Sequence, residues 1–225
     1  MGRTKYSEAE RDKMVVMFIS AAREIVETEG LKNITVRKVA DLAGCNSSLL
    51  YFYFHDVDEL VTMASMSYLE KYTRSLVADL KKLDNNYDIF IHTWEVFTVY
   101  TLDNPEIFNQ IFFSSHKVPL DQMISEYYRL FPGQLENVSD SVKDMLYQGT
   151  IEERNLDILK PLVKEGVIQK ENVEMVNELM ISYFHDILRN RMESDGGLIE
   201  SDQMRARFMK AVHFLVGYGN TAKAS

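Results

Sequence analysis

Apolar residues recur at helical spacing almost from end to end of this chain, and no stretch alternates in the manner of a half-buried strand. The first stripe, Met14, Phe18, Ala21, Ala22 and Ile25, follows a Ser7-Glu8-Ala9-Glu10 capping box and stops at Gly30. Two short stripes come next. Val36, Val39, Ala40 and Ala43 follow Thr35, whose hydroxyl can cap a helix; Leu49, Leu50 and Phe54 follow Asn46 and Ser47, either of which can cap another. Gly44 between them can take the left-handed conformation that ends a helix without steric cost. Two short helices joined by a Gly-containing turn match the helix-turn-helix unit, whose second helix enters the DNA major groove.

Further helices are predicted beyond this point. Asp56 and Glu59 form a second capping box, opening a helix over residues 56–82. An aromatic helix over residues 87–101 carries Phe90, Trp94, Phe97 and Tyr100. Asn104-Pro105-Glu106 starts a helix holding Ile107, Phe108, Ile111, Phe112 and Phe113. Residues 114–119 read as a loop. Met123, Ile124, Tyr127, Tyr128 and Phe131 then share a face that stops at Pro132-Gly133. Two pieces are expected between residues 139 and 165, interrupted at Gly149 and Pro161. Two last helices, over residues 171–192 and 202–218, present Val176, Met180, Tyr183, Phe184, Ile187 and Leu188, and Met204, Phe208, Ala211, Val212 and Leu215. Apolar surfaces this wide require burial. The fold class is all-α: an N-terminal three-helix domain with the helix-turn-helix (residues 1–55) and a larger helical domain (56–225).

Charge sharpens this division. The chain of 225 residues has a net charge of −9, unlike a protein that coats nucleic acid. Residues 1–55 hold 8 Lys/Arg against 7 Asp/Glu, and the remainder holds 17 against 27, so a near-neutral head adjoins an acidic body. A single cysteine, Cys45, excludes an internal disulfide framework, and no apolar run reaches membrane-spanning length. The five His residues lack metal-ligand spacing, and there is no Gly-rich phosphate loop or nucleophile elbow. A soluble, cytoplasmic protein without a cofactor and without enzymatic activity is expected.

Gly30, Ile34-Thr35, Val39-Ala40, Ala43-Gly44, Leu50-Tyr51, Phe54 and Leu60, extended upstream by Ile19, Ala21, Ala22 and Ile25, resemble the N-terminal domain of the TetR family of bacterial transcriptional regulators. The resemblance covers roughly residues 14–62. It implies a homodimeric DNA-binding regulator in which the helix over residues 56–82 links the head to a domain for a small-molecule effector. Thr35 and Arg37 match positions that touch phosphates or base edges in that family, and Tyr51 and Tyr53 match positions that hold phosphates. With Lys38, Asn46, Ser47 and Ser48 they form the expected contact set for a double-stranded operator. The sequence departs from the family in lacking a cation near Ser47, and Val57 stands where a Lys is usual. Phosphate contacts dominate affinity, so that loss is expected either to weaken binding or to shift the load onto Arg37, Lys38 and the basic leader (Arg3, Lys5, Arg11, Lys13).

The aromatic and Met-rich body suits both an ordinary core and a pocket between helices. The expected effector contacts are Trp94, Phe97, Phe112, His116 and Tyr127, for a small, largely apolar or aromatic ligand, with His92 and Glu95 as further polar candidates. The resemblance implies a four-helix dimer interface from the last two helices, expected at Met180, Phe184, Ile187, Phe208, Val212 and Leu215. The leading reading is a repressor released by its effector. Two others stand beside it. One is a small-molecule-binding or enzymatic helical domain that leaves DNA alone, supported by the missing cations. The other is a DNA-binding regulator controlled by a protein partner.

Overall fold

The computed structural model describes residues 7–80, 82–135, 146–194 and 197–218. Among these residues there are ten α-helices and no strand. They are α1 (Glu8–Glu29), α2 (Val36–Leu42), α3 (Ser47–Leu50), α4 (Val57–Leu80), α5 (Asn86–Asp103), α6 (Pro105–Phe112), α7 (Leu120–Leu130), α8 (Ile151–Lys164), α9 (Val173–Glu193) and α10 (Leu198–Tyr218). The chain forms two compact units, Met1–Ser67 with Ser114–Glu136, and Tyr68–Phe113 with Asn137–Ser225. Helix α4 runs without a break across the division between Ser67 and Tyr68.

In the first unit, α1 opens on the capping box expected of it. Ser7 N–H donates to the Glu10 carboxylate at 2.8 Å, and Glu10 N–H donates to Ser7 Oγ at 3.3 Å. The helix ends at Gly30, φ +88°. Its buried side holds Val15, Phe18, Ile19, Ala22, Ile25 and Val26. Phe18 lies 6.0 Å from the Tyr53 ring and 6.1 Å from that of Phe54, which anchors the end of the helix-turn-helix against α1. Helix α7 also belongs to this unit. Arg23 donates to the Tyr127 hydroxyl at 2.8 Å, and Arg129 holds both carboxylate oxygens of Asp12 at 2.6 and 2.7 Å. At the start of α4, Glu59 N–H donates to Asp56 Oδ1 at 2.9 Å, but the Glu59 carboxylate accepts from His55 N–H rather than from Asp56 N–H. The reciprocal cap is therefore displaced by one residue.

The second unit is built around aromatic rings. Trp94 has the rings of Phe97, Phe184 and Phe208 at 5.5, 5.4 and 5.0 Å, and Phe97 adds Phe108 and Phe112 at 5.8 and 5.9 Å. Burying each such side chain stabilises the unit by roughly 1.5–3 kcal/mol. Pro161 does not interrupt a helix, contrary to the sequence expectation; it lies inside α8. Only one turn follows it, so few bonds are disturbed, and Glu165 N–H still reaches the Pro161 carbonyl at 3.0 Å. The helical piece expected before Gly149 falls largely outside the described residues.

Candidate nucleic-acid interface and effector cavity

The helix-turn-helix is set by hydrogen bonds the sequence can specify locally. Thr35 Oγ1 accepts from Lys38 N–H at 3.2 Å and caps α2. At the other end, Gly44 has φ +68°; its N–H donates to the Asp41 carbonyl, and Cys45 N–H donates to that of Ala40. This pair of bonds is a Schellman stop, for which Gly is suited because it carries no Cβ. Asn46 then caps α3, its Oδ1 accepting from both Ser48 N–H and Ser48 Oγ at 2.9 Å. Helix α3 spans four residues and continues as a turn in which Phe54 N–H reaches the Leu50 carbonyl at 3.0 Å. Val39, Ala40, Leu50 and Phe54 are buried against the rest of the unit, which fixes the opposite side outward.

That outward side carries most of the expected DNA contacts. Thr35, Arg37, Lys38, Asn46, Ser48 and Tyr51 are exposed, and Ser47 and Tyr53 are half-buried. Tyr51 and Phe52 expose 59 % and 66 % of their surface, large values for aromatic rings. Arg37 is 88 % exposed, with Asp41 3.8 Å away, whereas Lys38 Nζ is held 2.5 Å from Glu29. Tyr53 lies between Phe18 and Arg11, whose guanidinium sits 5.9 Å from the ring centroid. Of the basic leader, Arg3 and Lys5 fall outside the described residues.

In the second unit a cavity of about 30 Å³ is lined by Tyr72 of α4, Thr93, Trp94 and Phe97 of α5, and Ile151, Arg154, Asn155 and Ile158 of α8. Its polar wall is a relay. Trp94 Nε1–H donates to Asn155 Oδ1 at 2.9 Å, Asn155 Nδ2 donates to Asn177 Oδ1 at 2.8 Å, and Asn177 Nδ2 reaches the Glu152 carbonyl at 3.3 Å. Arg154 is 7 % exposed; it donates to the carbonyls of Gln148 and Leu146 at 3.0 and 2.7 Å and lies over the Phe112 ring at 5.1 Å. Burial pushes the Tyr72 phenol well above its usual range, and the nearby Arg154 charge offsets this in part.

Of the five expected effector contacts, Trp94 and Phe97 line this cavity and Phe112 stands behind Phe97 and Arg154. His116 and Tyr127 belong to the first unit, His116 in the loop before α7 and Tyr127 buried against Arg23. His92 and Glu95 line a shallow groove of about 430 Å³ with Asp202 and Arg205 of α10. Sequence reasoning missed Tyr72, Arg154 and Asn155. A polar residue such as Arg154 or Asn155 reads as solvent-facing in an amphipathic helix, and only the packing of α4, α5 and α8 turns these two inward.

Most of the expected dimer contacts are already covered within the single chain. Met180, Phe184, Ile187, Phe208 and Val212 expose 0–3 % of their surface in a single chain, and Leu215 is half-buried. They are core: α9 and α10 turn their widest apolar stripe onto α5 and the Trp94 cluster. The apolar residues these helices leave outward are Met175 and Leu179 on α9 and Phe214 on α10, 61 %, 48 % and 65 % exposed. Tyr183 lies 6.1 Å from Phe208 between the two helices. Contact at that level in an antiparallel pair puts the N-terminal half of α9 beside the C-terminal half of α10, so the three residues share one end.

An N-terminal helix-turn-helix is followed by a larger helical unit. Residues 18–63 match the family described as bacterial regulatory proteins, tetR family. The fold is similar to that of RolR in complex with the ligand resorcinol, with a TM-score of 0.60 at 13 % identity, covering 95 % of this chain and 96 % of that one. RolR without ligand gives 0.54 at 14 % identity, covering 89 % and 95 %. A tetR family transcription regulator from Shewanella sp. PV-4 gives 0.46 at 13 %, covering 88 % and 97 %. No curated protein matches the chain. Among the described residues no helix is long and apolar enough to cross a membrane, and no cluster of three His, Cys, Asp or Glu side chains could hold a metal ion.

Proposed function

We propose that this chain is a ligand-responsive repressor, bound to its operator through the exposed face of α2 and α3 and released by a small aromatic effector. The observation that carries the reading is the ring-lined cavity between α4, α5 and α8, with polar groups at one side and apolar rings at the other. Similarity to RolR, whose structure holds resorcinol, supports an effector of one ring. A cavity that takes benzene measures about 150 Å³. The present one, at about 30 Å³, suits a water-sized occupant, so a ring must displace a wall.

One of those walls is Tyr72, on the C-terminal half of α4. The same unbroken helix begins at Val57 in the first unit, capped by Asp56. Displacing its far half is the available lever on the head. A ligand shifts the equilibrium only by its differential affinity for the two arrangements, and about 100-fold corresponds to roughly 2.7 kcal/mol, within the usual range of coupling. In the proposed homodimer a two-fold axis sets the two recognition elements against major grooves about 34 Å apart, so a modest tilt is enough to misalign them.

Resorcinol titrated into protein bound to labelled operator DNA tests this reading. Trp94, the only tryptophan, reports on the cavity. Release of DNA should follow the same titration curve as the change in Trp94 fluorescence. Release with unchanged fluorescence would put the effector elsewhere.

A further inference from the structure

Tyr72 is 3 % exposed, and its ring is fixed edge-on against Phe97 and Tyr100 at 5.3 and 6.2 Å. Its neighbours in the cavity wall have their polar groups engaged: Thr93 Oγ1 donates to the Ile89 carbonyl at 2.7 Å, and Trp94 and Asn155 bond to one another. The Tyr72 hydroxyl is different. No hydrogen bond joins it to any of the described residues, and Tyr72 lines the cavity together with Arg154, whose charge it feels. Buried hydroxyls nearly always find a partner, so one that faces a cavity without one is a recognition group in waiting.

We infer that the Tyr72 hydroxyl is the specificity-determining group of the effector site and selects a ring that carries a hydroxyl over a plain hydrocarbon ring. This rests on the aromatic-effector reading above and gives the ligand a chemical class, a phenol. The phenol group of Tyr72 stays protonated at neutral pH, since burial raises its pKa, so it can both donate and accept. A ligand hydroxyl placed there satisfies both partners at once. Arg154 alongside favours the lone-pair side of that ligand hydroxyl. The residue that reads the ligand also sits on α4, so recognition and displacement of the helix are the same event.

A purely apolar cavity favours benzene over phenol, because phenol must shed water from its hydroxyl. The inference predicts the opposite order. Binding of phenol and of benzene to the full chain is followed by Trp94 fluorescence and by thermal stabilisation, with Tyr72→Phe and the control Tyr100→Phe measured alongside. The parent should bind phenol about 10-fold more tightly than benzene, and Tyr72→Phe should bind benzene at least as tightly as phenol; Tyr100→Phe should keep the parent's preference. The Tyr72→Phe melting temperature should not fall, since the hydroxyl removed has no partner in the fold. An unchanged phenol-to-benzene ratio in Tyr72→Phe overturns the inference and leaves the aromatic-effector reading standing. If neither ring binds the parent, both are overturned.

Discussion

Arg37 and Asn155 show how differently two polar residues on helices can act. Arg37 is 88 % exposed and its one near carboxylate stands at 3.8 Å, so it contributes little to the fold and is available to an anionic partner. Arg37→Ala should weaken operator binding by roughly 1–3 kcal/mol if it reads a base, and reduce the salt dependence if it contacts phosphate. Its melting temperature should match the parent's. Fluorescence anisotropy across a salt series and a thermal melt check both. Asn155 is 1 % exposed and bonds to Trp94 on one side and Asn177 on the other. Asn155→Leu would orphan the Trp94 N–H and one Asn177 oxygen, each at a cost of roughly 1–3 kcal/mol. Denaturant unfolding should show that loss. Tyr72 lies between these cases, with its ring structural and its hydroxyl unassigned by the fold. The outward Arg37 was expected from the sequence, but the placement of Tyr72, Arg154 and Asn155 at one cavity was not, because it depends on packing between helices far apart along the chain.

Elements were easier to read than residues where a local rule decides. The Thr35 cap, the Gly44 stop and the Asn46 cap use neighbouring atoms, so the helix-turn-helix follows from its own sequence. The pattern was less informative where a stripe needs a partner. Phe184 and Phe208 announce buried faces on α9 and α10, but hydrophobic spacing does not say whether a second chain or α5 covers them. Helix α7 is a similar case: its apolar stripe, Tyr127 included, does not by itself name α1 as a partner, whereas the Arg129–Asp12 and Arg23–Tyr127 bonds do. Hydrogen bonds from the Arg129 guanidinium hold both Asp12 and Glu126 below the usual carboxylate range. Carboxylates with lowered pKa stabilise the fold above their unfolded pKa, about 4, and that contribution is lost as pH falls through the lowered folded values. The melting temperature should therefore fall below about pH 4, and Arg129→Gln should flatten that dependence. A parallel, undiminished acid transition in the variant would show that this cluster is not what links α7 to α1.

For the whole molecule, we propose the outward apolar residues at one end of α9 and α10 as the place for a two-fold partner. Met175, Leu179 and Phe214 are large and exposed. Phe214→Glu should give a folded monomer by light scattering at micromolar concentration, whereas Phe184→Glu should unfold the chain by burying an unpaired charge. A folded dimer in Phe214→Glu would move the interface to another face.

The central claim is that the head binds DNA although α3 carries no cation and Lys38 is tied to Glu29. The most direct measurement selects genomic fragments with the purified full chain and then measures the affinity of the best fragment against unrelated DNA by anisotropy at about 150 mM salt. The account predicts a specific complex at least about 1000-fold tighter than the non-specific one, weakened by Arg37→Ala. Equal affinity for the selected fragment and unrelated DNA would contradict it, and would leave a ligand-binding helical protein whose head does not read DNA.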